Sequence, residues 1–136
     1  MTVTPIADAD VPVVIALWQR CNLARPWNDS AADIALARRD ENSDILVGRD
    51  GDDIVASVLV GHDGHRGWVY YLAVTGSERG TGLGRRLMQA AEAWLVERGA
   101  VKLQLMVRES NTAVTGFYDR LGYTDADVRV LAKRLD

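Results

Sequence analysis

The chain has a single cysteine, Cys21, so an internal disulfide is excluded and a reducing compartment is expected. It lacks any apolar run of membrane-spanning length. The longest, Val13 to Trp18 and Trp68 to Val74, are far shorter than the roughly 20 residues a bilayer requires. The opening Met1 to Asp8 has neither the basic nor the apolar region of a secretory signal, which again points to the cytoplasm. No excess of positive charge exists: the net charge is -3, which argues against nucleic acid as a partner. Repeats, charged tails and low-complexity linkers are also missing. What remains is a 136-residue chain with 48% apolar and 26% charged residues, the composition of a soluble globule, expected to form one domain over residues 1–136.

The most informative stretch is Leu72 to Leu87. A β-forming run, Trp68 to Val74, leads into three alternating glycines, Gly80, Gly82 and Gly84, and a helical pattern begins at once. A strand, a glycine loop and a helix N-terminus together make an anion site. Glycine allows close backbone approach, and the first-turn N–H groups point at the ligand. Arg79, Arg85 and Arg86 add charge, so the expected ligand is the pyrophosphate of a cofactor. The spacing Gly-x-Gly-x-Gly is not the Gly-x-Gly-x-x-Gly of a dinucleotide fold, and Arg85-Arg86 replaces the Lys-Ser/Thr of an ATP or GTP loop. A flexible turn that binds nothing is the bland alternative.

Arg79-x-x-Gly82-x-Gly84 resembles the acetyl-CoA signature of the GNAT N-acetyltransferases. A second block, Asn111 to Tyr123 with Ala113, Phe117, Tyr118 and Gly122, is similar to the family's Asn-x-x-Ala-x-x-Phe-Tyr-x-x-x-Gly-Phe/Tyr, with the alanine one place early. Arg25 to Asp29, Gly61 to Gly67 and Ala126 to Val128 look like the small bacterial YpeA-type subgroup. The resemblance implies an α/β (α+β) GNAT fold. Its centre is a mixed, mostly antiparallel sheet of about six to seven strands, flanked by about four helices. Two central strands, here Trp68–Val74 and Val101–Val107, splay apart.

The resemblance also implies roles. Main-chain groups of Leu72, Ala73 and Val74 pair with the pantetheine arm of acetyl-CoA, and one N–H polarises the thioester carbonyl. The segment Arg79, Gly80, Thr81, Gly82, Leu83, Gly84 and Arg85 holds the pyrophosphate. Asn111, Val114 and Phe117 meet the cofactor from the other wall, and Tyr118 is the general acid that protonates the departing thiolate. No metal is implied. Where some relatives acting on protein N-termini carry a glutamate, this chain has Met106, so the general base is open among His62, Asp63, His65 and Glu109, directly or through water. Nothing resembles an activated nucleophile, so direct transfer to an amine in a ternary complex is expected, without a covalent enzyme intermediate. The competing reading is a catalytically weak GNAT module that binds acyl-CoA as a sensor or interaction domain.

Along the rest of the chain, Thr2 to Ile6 reads as a strand. Asp8 or Asp10 caps a helix with Pro12 in its first turn and Val11, Val14, Ile15, Trp18 and Cys21 on its inner stripe. Asp29 or Ser30 caps a second helix, with Ser30 and Asp33 approximating a capping box. Arg25, Trp27, Asn28 and Asp29 between them are acceptor-side candidates, although Asn28 and Asp29 can equally only cap and Trp27 only pack. Asp44 to Gly48 and Asp53 to Val60 form a hairpin around Asp50-Gly51-Asp52. His62, Asp63, His65 and Arg66 share one loop, which reads as a substrate-facing loop or a solvated turn rather than a metal site. Arg25 and Arg66 with Asp29 and Asp63 would suit a small zwitterionic amine. A helix from Gly82 to Arg98, a strand Val101 to Val107, a helix capped by Asn111 and a last strand Asp127 to Leu135 complete the expectation. A small-molecule or peptide amine is the expected partner, and a homodimer is left open.

Overall fold

The computed structural model describes residues 1–136 and divides into two units, Met1–Met106 and Val107–Asp136. The first holds β1 (Thr2–Pro5), α1 (Val11–Arg20), α2 (Ser30–Ala37), β2 (Ser43–Asp50), β3 (Asp53–His62), β4 (Gly67–Val74), α3 (Leu83–Glu97) and β5 (Leu103–Gln104). The second holds α4 (Thr112–Arg120). The five strands form one sheet in sequence order, antiparallel from β1 to β4 and parallel between β4 and β5. The β2–β3 turn contains Gly51 at φ 62°, a left-handed value that favours glycine.

Successive strand residues face opposite sides, and the two sides are buried by different helices. Ile45 and Val47 of β2 join Val14, Leu17 and Trp18 of α1 and Ile34 of α2 in one core. On the other side, a Cβ placed on Gly48 would meet the Leu87 side chain, and one on Gly67 would stand 2.4 Å from Leu95 Cδ1, so α3 lies close against β2 and β4. Leu83, Leu87, Met88, Ala91 and Leu95 recur at helical spacing and are buried there.

The helix ends follow local chemistry. The Asp29 carboxylate accepts from the Ala32 N–H at 3.1 Å and starts α2. Asn111 does the same for α4 through Val114 N–H at 3.3 Å. Gly99, at φ 83°, and Gly122, at φ 93°, follow the ends of α3 and α4. Pro12 sits in the first turn of α1 as expected, but neither Asp8 nor Asp10 caps that helix with its side chain. Asp10 instead receives the Ala7 N–H at 2.7 Å and the Arg49 guanidinium, whose hydrogen bond holds its carboxyl below the usual range. Ser30 and Asp33 do not form a capping box, because Asp29 caps and Asp33 is engaged elsewhere.

The strand expectations need correction. Five strands form, not six or seven. Val101–Val107 yields only the two residues of β5, an edge strand rather than a central one, because its pairing with β4 stops at Trp68 and Gln104. Asp127 to Leu135 is no strand: it has no paired neighbour, and Val128 and Leu131 are exposed. β4 is open to solvent at Tyr70, which is 42% exposed.

Candidate active site

The site is built on a fault in β4. Ser57 of β3 pairs with Ala73 and Leu59 with Tyr70, so Val58 alone stands opposite both Tyr71 and Leu72. This one-residue β-bulge puts Tyr71 at φ 55°, an uncommon value for a bulky side chain. It also reverses the alternation. Gly67 faces α3, yet Tyr71, four residues on, packs in the core under α1 and α2. Beyond Trp68 the β5 side of β4 has no strand partner, so Leu72, Ala73 and Val74 lie along an open edge, the geometry that accepts an added strand-like ligand. The expected splay between the two strands is present in this form.

The chain leaves β4 through a single turn, Gly76–Glu78, into the glycine loop. Gly80 and Gly82 have φ of 81° and 83°, and a Cβ at either would meet nothing within 4 Å. Glycine is therefore required here by backbone conformation, not by space. The first bond of α3 runs from Arg86 N–H to Gly82 C=O at 3.1 Å, so the N–H groups of Leu83, Gly84 and Arg85 are not engaged by the helix. Arg79 and Arg85 are exposed beside them. The Arg86 guanidinium turns to the Met1 carbonyl at 3.0 Å.

Three anchors hold Tyr71. Its ring stacks on Trp18 with centroids 3.9 Å apart and planes 5° from parallel. Its carbonyl accepts from Ser57 Oγ at 3.4 Å, and that oxygen in turn accepts from Trp18 Nε1 at 2.9 Å. Its phenol donates to Asp33 Oδ2 at 2.8 Å. Burial and the Asp33 carboxylate push the phenol up to about 12, opposed by a hydrogen bond from Asn28 and the charge of Arg25. Arg25, Asn28, Asp33 and Tyr71 thus converge beside the bulge. Arg25 Nη1 also caps the Ala24 carbonyl at 3.1 Å. Trp27 is 56% exposed. Sequence reasoning missed Asp33, Tyr71 and Ser57. The only signal was the Tyr70-Tyr71 pair, since two large neighbours cannot both face one core in a regular strand.

The histidine loop lies elsewhere. His62 pairs with Gly67, five residues of strand from Leu72, about 16 Å along β4. His62 lies against Trp94 of α3, at 6.5 Å between ring centroids, on the opposite side of the sheet from Tyr71. Asp63 Oδ1 receives the N–H groups of His65 at 2.9 Å and Arg66 at 2.8 Å, and Oδ2 receives Trp68 Nε1 at 3.2 Å. These donors pull its carboxyl down to about 2, which makes it a very weak base. Arg66 Nη1 bonds the His65 carbonyl at 3.2 Å. The structure therefore does not bring His62, Asp63, His65 or Arg66 to the bulge, and Asp63 and Arg66 do not join Arg25 and Asp29 in a zwitterion site. A groove of about 690 Å³ is also at this end, lined in part by Asp40, Asp44, His62, Trp94, Glu97 and Arg98. Its carboxylates oppose a pyrophosphate. No three His, Cys, Asp or Glu side chains are grouped to share a metal ion. Cys21 is half-buried, its thiol directed at the Val74 carbonyl at 3.4 Å.

In the unit Val107–Asp136, Asn111 is exposed at the start of α4, and Val114, Phe117 and Tyr118 are half-buried on it. Tyr118 makes edge-to-face contacts with Phe117 and Tyr123, at 5.0 and 5.7 Å. Burial pushes its phenol up to about 12, so it keeps its proton through neutral pH. Glu109 is exposed, as is Met106 at the end of the first unit.

Known structures share this architecture. Ribosomal-protein-S18-alanine N-acetyltransferase from Escherichia coli is 26% identical with a TM-score of 0.79, covering 92% of this chain and 78% of its own. Aminoglycoside antibiotic 6'-N-acetyltransferase AAC(6')-IG from Acinetobacter haemolyticus is 16% identical with a TM-score of 0.81, covering 100% of both chains. AAC(6')-Iy, solved with the bisubstrate analogue CoA-S-monomethyl-acetylneamine, is 11% identical with a TM-score of 0.85, covering 98% of this chain and 97% of that one. No helix of the present chain is long and apolar enough to cross a membrane. The model of the acetyltransferase (GNAT) family matches residues 12–123, and the chain belongs to that family.

Proposed function

We propose that this acetyltransferase is an acetyl-CoA-dependent N-acetyltransferase, one catalytic domain over residues 1–136, that moves an acetyl group to a primary amine by direct transfer in a ternary complex. The observation that carries the reading is the continuity of an open, bulged strand edge, Leu72–Val74, with a glycine loop and the unengaged N–H groups of Leu83, Gly84 and Arg85. The residues fit the cofactor: backbone donors and Arg79 for a pyrophosphate, and a strand edge for the amides of a pantetheine arm.

The bound thioester supplies an acyl carbon open to nucleophilic attack. The Leu72 N–H stabilises negative charge on the carbonyl oxygen as the amine adds. The carbon–sulfur bond then breaks, and Tyr118 hydrogen-bonds and protonates the leaving sulfur. The amine proton leaves to water or to Glu109, the one candidate base outside the distant histidine loop. Arg25, Trp27, Asn28 and Asp29 form the acceptor side, where a small-molecule or peptide amine docks. A YpeA-type bacterial protein working in the cytoplasm fits the loop motifs and the single cysteine.

Calorimetric titration with acetyl-CoA and with free CoA tests the reading. Both should bind wild type, and an Arg79→Ala Gly82→Asp variant should lose both. No binding to the wild type would remove the proposal. Met106, where some relatives carry a glutamate base, favours one competitor, an acyl-CoA-binding module without turnover. Tyr118→Phe decides between them: transfer should fall about 10²- to 10³-fold with cofactor affinity nearly intact. No transfer to any amine by wild type, despite tight binding, would favour the module.

A further inference from the structure

Tyr71 is held in a left-handed conformation, φ 55°, that a tyrosine does not adopt without support. The peptide following it is a rigid plane in which the Tyr71 C=O and the Leu72 N–H point in opposite directions. The carbonyl points to Ser57 Oγ in β3. The Leu72 N–H is therefore directed away from β3, toward the edge that β5 leaves open. Two of the anchors, the Trp18 stack and the Ser57 bond, come from α1 and the sheet. The third, from phenol to Asp33 at 2.8 Å, comes from α2, just after the acceptor-side loop.

We infer that Tyr71 is a positioning residue whose hydrogen bond to Asp33 locks the bulge with the Leu72 N–H aimed at the thioester carbonyl, so that α2 takes part in polarising the acetyl group. The inference rests on the acetyl-CoA reading above. A ring stacked on one face still rocks within its plane. The phenol bond at its far end stops that motion, and the motion would otherwise turn the backbone at Tyr71. Small errors of aim matter, because a hydrogen bond weakens steeply as it departs from linearity. The same contact explains why Asp33 is not used to cap α2.

The test reads the carbonyl directly. Acetyl-CoA labelled with ¹³C at the carbonyl is bound to the intact protein, and its stretching band is recorded by difference infrared spectroscopy. Wild type should move the band to lower frequency than in free acetyl-CoA. Tyr71→Phe, which keeps the ring on Trp18, should lose about half or more of that shift while the calorimetric Kd changes less than about threefold. Asp33→Ala, which removes the same bond without touching the strand, should do likewise, and Asp33→Asn, which retains an acceptor oxygen, should keep the shift. A full shift in both Tyr71→Phe and Asp33→Ala overturns the inference and leaves the acetyl-CoA reading standing. A failure of wild type to bind acetyl-CoA overturns both.

Discussion

The two ends of β4 are opposites. At its start, every group is answered: Gly67 and Trp68 pair with β3 on one side and β5 on the other, Leu95 packs where a Gly67 side chain would stand, and Asp63 takes three donors from its own neighbourhood. At its finish, one edge is open, Tyr71 is strained, and the loop beyond presents exposed glycines and unengaged N–H groups. The start has polar side chains bonded within their own turn, and the finish has backbone groups left without partners. The chemistry we propose sits at the finish. Side-chain polarity at the hairpin is consumed in building the turn, whereas the site is made from backbone donors that the fold leaves without partners.

The sharpest way to break that contrast uses one residue from each end. Gly64 in the hairpin and Gly82 in the loop have similar φ, 89° and 83°, and neither has an atom within 4 Å of where a Cβ would stand. Aspartate at either position tolerates the left-handed region at a cost of about 1 kcal/mol. At position 82 it also sets a negative charge against a pyrophosphate. At about 6 Å and an effective dielectric of about 20, that repulsion is about 3 kcal/mol per unit charge, a loss on the order of 100-fold in affinity. Gly82→Asp should therefore abolish measurable acetyl-CoA binding, while Gly64→Asp lowers Tm equally and binds as wild type. Equal loss of binding in both would mean that fold destabilisation, not the anion site, is being read.

A smaller expected effect concerns catalysis. If the hairpin is as remote as its register says, His62→Ala His65→Ala should change transfer less than about twofold, since proton transfer requires hydrogen-bond reach. The acid limb of the pH–rate profile should also keep its position. A limb that disappears in this variant would bring a hairpin histidine back as the base.

The same contrast explains what was legible in the sequence. The glycine loop, the stripe of α3 and the caps Asp29 and Asn111 are local features, set by residues a few positions apart, and they stand where the pattern put them. The bulge is not local. Tyr71 carries no glycine or proline signal, and its conformation is fixed by Trp18, Asp33 and Ser57, which lie 53, 38 and 14 positions away. The same is true of strand extent. Val101–Val107 alternates well and Asp127–Leu135 begins to, but pairing needs a neighbour, which alternation cannot supply, and only Leu103–Gln104 has one. The histidine loop misled in the other direction. Two imidazoles and a carboxylate in seven residues suggest chemistry, but Asp63 is bonded to its own loop before any ligand arrives.

The smallest effect is at that carboxylate, and it sharpens the claim that the hairpin is self-contained. Asp63 has a folded-state value near 2, below its ordinary 3.8, because ionised oxygens accept the His65 and Arg66 N–H groups and the Trp68 indole. A depressed carboxyl stabilises the fold fully above its unfolded value, and that contribution is lost as pH falls from about 4 through about 2. The Trp68 Nε1–H resonance should therefore be constant from pH 7 to 4 and titrate with a midpoint near 2. Asp63→Asn should remove the titration, with acetyl-CoA affinity at neutral pH unaltered. A midpoint near 4 would mean that the three donors do not hold the carboxylate, that the hairpin is looser than its bonds indicate, and that Asp63 is available as a base after all.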